Sequence, residues 1–195
     1  MDVQFGVKEW AAVIEALAQG KQIIMIRGEK PKPTPVPLLL YPTFSYFAGK
    51  SASLDKKFKP EYVEMAKSIG EETMRQAHEG SIVTIRYFAE VTDSAQVDYK
   101  YDWSAIEPYF IWKKEHTREY ALSRSSVYIW FVRVYKLPTP VITPAKGSGS
   151  LTTYLHDEKI VVEEPDAVMS DQEYTILKSK MLARLPASGK RGRGA

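Results

Sequence analysis

Apolar residues at positions 7, 10, 11, 14, 17 and 18 recur with helical spacing, and Gly20 stands where a helix ends in a left-handed glycine. A helix over residues 7–18 is therefore predicted. Residues 22–27, apolar from Ile23 to Ile26, read as a buried strand. Prolines occupy four of the ten positions 28–37, which forbids a helix and predicts an extended loop. Residues 38–41 resume as strand and stop at Pro42; antiparallel pairing of these first two strands is the expectation. Residues 44–59 read as loop, aromatic first and lysine-rich later.

Pro60 suits the first turn of a second helix, with Val63, Ala66, Gly70, Met74 and Ala77 on one face and Gly80 at its end. Residues 81–91 alternate as a half-buried strand does. Residues 93–102 are polar loop, and Ser104 with Glu107 has the form of a capping box. Residues 113–122 predict a polar helix. Residues 127–137 are apolar on both faces except at Arg133 and Lys136, as a central strand would be. Three prolines and a Gly-Ser run in 138–150 predict a long loop, with 143–150 as an internal linker. Residues 151–155 and 159–162 are expected to form a hairpin around His156 and Asp157. Ser170 with Glu173 is a second capping box; Met169 and Tyr174 occupy the staple positions, and Leu177, Met181 and Leu185 continue the stripe.

This order predicts an α+β fold: a mixed, strongly curved sheet or small open barrel of about five or six strands with packed helices. One globular domain is expected over 1–185, and 186–195 as a disordered basic tail. The element order is similar to that of the small barrels of RNA- and modified-base-binding modules, a likeness of fold alone.

Composition changes this picture in two ways. The chain has no cysteine, which excludes disulfides, thiolate metal sites and a cysteine nucleophile. Asp2, Lys8, Glu9 and Glu15 interrupt the first twenty residues, and no run approaches the roughly 18 apolar residues of a membrane span. A soluble cytoplasmic protein without membrane attachment is expected. Lys190, Arg191 and Arg193 account for the whole net charge of +3, so the body is neutral. Residues 1–60 are richer in base and 61–121 in acid.

Several segments, taken in order, resemble one family. They are residues 8–20, the strand ending at Arg27, Leu38 through Tyr41-Pro42-Thr43, residues 80–85, Phe110-Ile111-Trp112 with Arg124 downstream, residues 131–138 and residues 169–174. The series is similar to the domain-of-unknown-function 1802 family and spans residues 7 to about 175. A glycine-rich segment expected after the first strand is replaced by the proline-rich loop, and the stretch after Thr43 also differs. The resemblance implies no activity, since the family has none assigned.

Candidate chemistry rests on a few side chains. Arg133 lies inside an apolar strand and must be paired, because a lone buried guanidinium costs several kcal/mol. Either it forms a structural ion pair with Glu15 or Glu90, or it clamps an anion. Arg27 closes the first strand. Tyr41, Thr43, Phe44, Tyr46 and Phe47 form an aromatic strand exit close to Lys50, Lys56, Lys57 and Lys59, a combination that stacks bases and meets phosphates, or else covers the core. Trp112 and Arg124 flank the polar helix. His78, His116 and His156 are widely spaced, with His116 expected on a solvated helix face; no metal site and no cofactor are implied. The leading expectation is a non-catalytic nucleic-acid or nucleotide-binding module using Arg27, Tyr41, Thr43, Trp112, Arg124 and Arg133. One alternative is a metal-dependent nuclease or phosphodiesterase built on Glu15, Glu90 or Asp93. The other is a structural or regulatory partner-binding protein.

Overall fold

A computed structural model describes residues 1–31, 36–46, 53–145 and 153–186, with the backbone alone for 153–158. The strands are β1 (Asp2–Trp10), β2 (Ile24–Arg27), β3 (Leu38–Thr43), β4 (Ile82–Asp98), β5 (Ser126–Pro144), β6 (Thr153–Val161) and β7 (Asp166–Ala167). The helices are α1 (Ala11–Ala18), α2 (Leu54–Lys57), α3 (Val63–Glu79), α4 (Lys114–Leu122) and α5 (Asp171–Leu182). The strands form one mixed sheet in the order β2-β5-β4-β3-β1-β6, with β7 on β5. The fold is thus α+β with an open sheet, not a closed barrel. No helix among the described residues is long and apolar enough to cross a membrane.

The first element corrects the predicted helix over 7–18. Residues 2–10 form a strand, parallel to β3 and antiparallel to β6, and only at Ala11 does the chain turn helical. Val3, Val7 and Glu9 are buried, an alternation interrupted by a register shift between Val3 and Phe5. The helix end stands as predicted. Gly20 has φ of 65°, the Gly20 N–H donates to Leu17 O and the Lys21 N–H to Ala16 O, the paired bonds of a Schellman motif.

β2 and β3 are not neighbours: β2 pairs with β5, while β3 lies between β1 and β4. The predicted antiparallel pairing of the first two strands is therefore corrected. β5 runs on through Pro138, Pro140 and Pro144 where a loop was expected. The ladder with β4 jumps from Tyr87↔Lys136 to Ile85↔Val141, so residues 137–140 bulge opposite Arg86 and the first two prolines need no ladder N–H there. Residues 153–161 are one strand along β1, not a hairpin around His156 and Asp157. β4 likewise extends to Asp98, past the predicted loop start, with a second bulge at Thr92. The capping box of α5 has both halves, Ser170 and Glu173. The basic tail from 187, and most of the expected linker, lie outside the described residues.

The larger core covers one face, from Val7 and Leu40 to Phe131 and Val134, under α1, α3 and α5. A smaller one on the other face gathers Val3, Leu39, Tyr41, Ile85 and Phe88. One side-chain bond shows that the sheet is not flat. Arg27 Nη1 donates to Lys8 O at 2.9 Å, although β2 and β1 are four places apart in the strand order. A flat sheet would separate them by roughly 19 Å.

Candidate functional site

That Arg27 bond marks the site. The end of β1 and the end of β2 meet beneath α4, around a cleft of about 70 Å³ lined by Glu9, Trp10, Ile26, Arg27, Trp112, His116, Thr117 and Tyr120. Drug-sized pockets measure roughly 300–1,000 Å³. This cleft therefore admits one ring and leaves the rest of any ligand outside.

Its polar floor is an ion pair. Arg27 Nη1 lies 3.3 Å from Glu9 Oε2 and Nη2 lies 3.2 Å from Glu29 Oε1. Arg27 and Glu9 are both buried, whereas Glu29 is half-exposed. The guanidinium also sits over the Trp130 ring, 5.6 Å from its centroid, and the Trp130 indole donates to Glu29 O at 2.9 Å. Burial pushes the Glu9 carboxyl above its usual range; Arg27 and the Trp10 N–H, which donates to Glu9 Oε1, pull the other way. A buried arginine stays charged, so Arg27 keeps its carboxylate partner under strong demand.

The walls are aromatic. Trp10 stacks on His116 with ring centroids 5.5 Å apart and 24° between planes, and it touches Tyr46 and Phe58 behind. Trp112 is held from three sides. Phe58 pairs with it as an isolated bridge, the Ile111 N–H donates to the buried Gln22 Oε1 at 3.1 Å, and the Lys113 N–H donates to Lys57 O at 2.9 Å. Lys59 Nζ donates to Glu107 O and Phe110 O, fixing the turn that leads to Trp112. Burial, then the Lys57 charge, lowers the His116 pKa, and burial raises that of the Tyr120 phenol. At neutral pH the cleft therefore presents a neutral imidazole and a protonated phenol.

The His116 shift has a stability consequence. Its folded value lies below its unfolded value of about 6.5, so the stability it contributes is complete above that value and is lost as pH falls through the folded value. Thermal melts from pH 7.5 to pH 5 should show wild type losing more stability than His116→Gln; parallel curves would place the imidazole in solvent.

The structure brings some of the six anticipated residues together and leaves others apart. Arg27 and Trp112 line the cleft. Arg124 stands at its rim, with Cζ 3.9 Å from the Tyr120 ring centroid. Thr43 Oγ1 donates to Glu9 O at 3.1 Å, behind the ion pair. Tyr41 belongs to the core on the opposite face, beneath Lys8 Nζ. Arg133 lies apart at α5, where Nη2 meets Asp171 Oδ1 at 2.6 Å and Nη1 donates to Ser170 O. Its partner is thus neither Glu15 nor Glu90. Glu90 accepts from the Tyr135 hydroxyl instead. His116, expected on a solvated face, is half-buried against Trp10. Asp93 pairs with Lys178 and Glu15 accepts from Gln19; no three metal-ligating side chains cluster among the described residues.

The reading of residues alone passed over Glu9, Trp10 and Tyr120. Glu9 was hidden by the helical reading of 7–18. Tyr120 was detectable, because it follows His116 by four residues on the predicted polar helix, the spacing of one helix face, and Trp112 and Arg124 continue the interval at either end.

Comparison with known proteins gives a family and a distant likeness. The model of the family described as "Domain of unknown function (DUF1802)" matches residues 6–180. No curated protein matches the chain. Among solved structures, a single-site variant of an ASCH protein from Zymomonas mobilis aligns with TM-score 0.44 and 13% identity, covering 91% of this chain and 94% of that one. The unsubstituted ASCH protein aligns with TM-score 0.41 and 12% identity over 95% of both chains. Neither fold nor activity transfers at this level of similarity.

Proposed function

We propose that this chain, which belongs to the domain-of-unknown-function 1802 family, binds a nucleobase in the cleft, as part of a nucleotide or of a nucleic-acid strand. The observation that supports this is the pairing of aromatic walls with a charged floor. Trp112 and a neutral His116, backed by Trp10, line the cleft with flat surfaces on which a planar heterocycle stacks, and the Glu9–Arg27 pair sets a charged edge beside it. The small volume suits one ring system, and the dry surroundings strengthen each polar contact made inside.

Quenching of the tryptophan fluorescence by the four common nucleosides and their 5′-monophosphates tests the reading. Saturable binding is expected, with one base preferred. Trp112→Leu should weaken it roughly 5- to 150-fold, the loss of about 1–3 kcal/mol of stacking, while the far-ultraviolet circular dichroism stays native. Absence of saturable binding by every base, in nucleosides, nucleotides and short single strands alike, would reject it.

A further inference from the structure

A ring that fills the cleft leaves its substituents at the rim, and Arg124 is placed there. The guanidinium lies against the Tyr120 ring, which itself lines the cleft. Gly28, the residue after Arg27, lies against the stem of the same side chain. A Cβ built at Gly28 would come within 2.9 Å of Arg124 Nε and 3.1 Å of Cδ, so the arginine stem would have to shift. The arginine side chain therefore rests on an aromatic ring and runs close to a bare stretch of backbone, and glycine at 28 is what leaves it room.

Among the described residues most donors of this side chain have no partner. Nη1 donates to the Ser123 hydroxyl at 2.8 Å, one of five N–H donors in the planar fork. No carboxylate among the described residues lies within ion-pair distance of it, although Arg27 has two and Arg133 has one. The side chain is exposed. An arginine stacked in place, with free forked donors and full charge, is pre-organised to take two oxygens of a phosphate group.

We infer that Arg124 receives a phosphate of the same ligand whose base occupies the cleft. The inference rests on the base-binding reading and adds that the ligand is phosphorylated next to its sugar. A mononucleotide and an internal phosphodiester of a nucleic-acid strand present the same oxygens.

Calorimetric titration of the full chain separates the possibilities. The probes are the preferred nucleoside, its 5′-monophosphate, and the dinucleoside monophosphate built from it. Wild type should bind one or both phosphorylated probes about tenfold or more tightly than the nucleoside. In Arg124→Met that ratio should fall to about one, and Arg124→Lys should restore only part of it, because an ammonium lacks the fork. Gly28→Ala, which displaces the stem without removing charge, should also lower the ratio. A gain with the mononucleotide identifies a phosphomonoester; a gain confined to the dinucleoside monophosphate identifies a strand. Equal binding of all three probes, or a ratio unchanged in Arg124→Met, overturns the inference and leaves base binding standing. Failure of all three to bind overturns both.

Discussion

Arg27→Met is expected to destabilise the protein by about 3–5 kcal/mol near neutral pH, and by much less in acid. The substitution removes the donor to Lys8 O that ties β2 to β1, and it strands the buried Glu9 carboxylate. Glu29 loses little, because it is half-exposed and water replaces the arginine. Glu9 has no such recourse except to take up a proton. Its folded pKa is already raised by burial, with Arg27 opposing the rise; without Arg27 it rises further. A raised folded value contributes stability that is fully present below the unfolded value, about 4.5, and is lost as pH rises through the folded value. The variant should therefore melt highest at pH 5 and progressively lower toward pH 8, more steeply than wild type. Adding Glu9→Gln to Arg27→Met should flatten that dependence and recover part of the lost stability. Identical pH dependence in wild type and Arg27→Met would mean that Glu9 is not a buried carboxylate.

Much of this architecture is readable from residue pattern where the pattern is local. The α5 cap needs only Ser170 and Glu173 three residues apart, and the α1 terminus needs only a glycine free to take positive φ. Non-local pairing is where pattern fails. Residues 2–10 satisfy a strand period and a helix period at once, through Val3, Val7 and Glu9 on one count and Val7, Trp10 and Ala11 on the other. What settles it is that β3 and β6 flank the segment and take up its backbone groups, and neither partner is visible from within the segment. The same holds for Pro138 and Pro140. Alone they predict a loop, but β4 supplies a partner strand whose register opens at Arg86 and spares their missing donors.

The site follows the same division. The stripe from Trp112 to Arg124 is a local pattern, and two of its members were singled out from sequence. Glu9 and Arg27 are eighteen residues apart and come together only because the sheet bends β1 toward β2. Arg133 shows the limit of arguing from need alone. That it must be paired follows from burial, yet its acid is Asp171, in the first turn of a helix that packs across β5 rather than on the strand beside it.

Trp10→Ala should have the other large effect, about 3 kcal/mol of stability, and it should move a proton as well. The indole sits at the strand-to-helix junction, against Tyr46, Phe58 and His116, with Lys57 Nζ 5.7 Å from its ring centroid. Removing it leaves a void beneath α4 that its close-packed neighbours cannot fill. It also opens one face of His116 to water. Because burial is the main cause of the lowered imidazole pKa, that value should climb toward 6.5, and the stability lost on acidification should shrink as folded and unfolded values converge. Trp10→Phe keeps an aromatic face on the imidazole and should move both quantities much less, which guards against a variant too unstable to titrate. Imidazole proton resonances followed through a pH titration read the shift directly. A His116 value unchanged in both variants would show that Trp10 does not shield the ring.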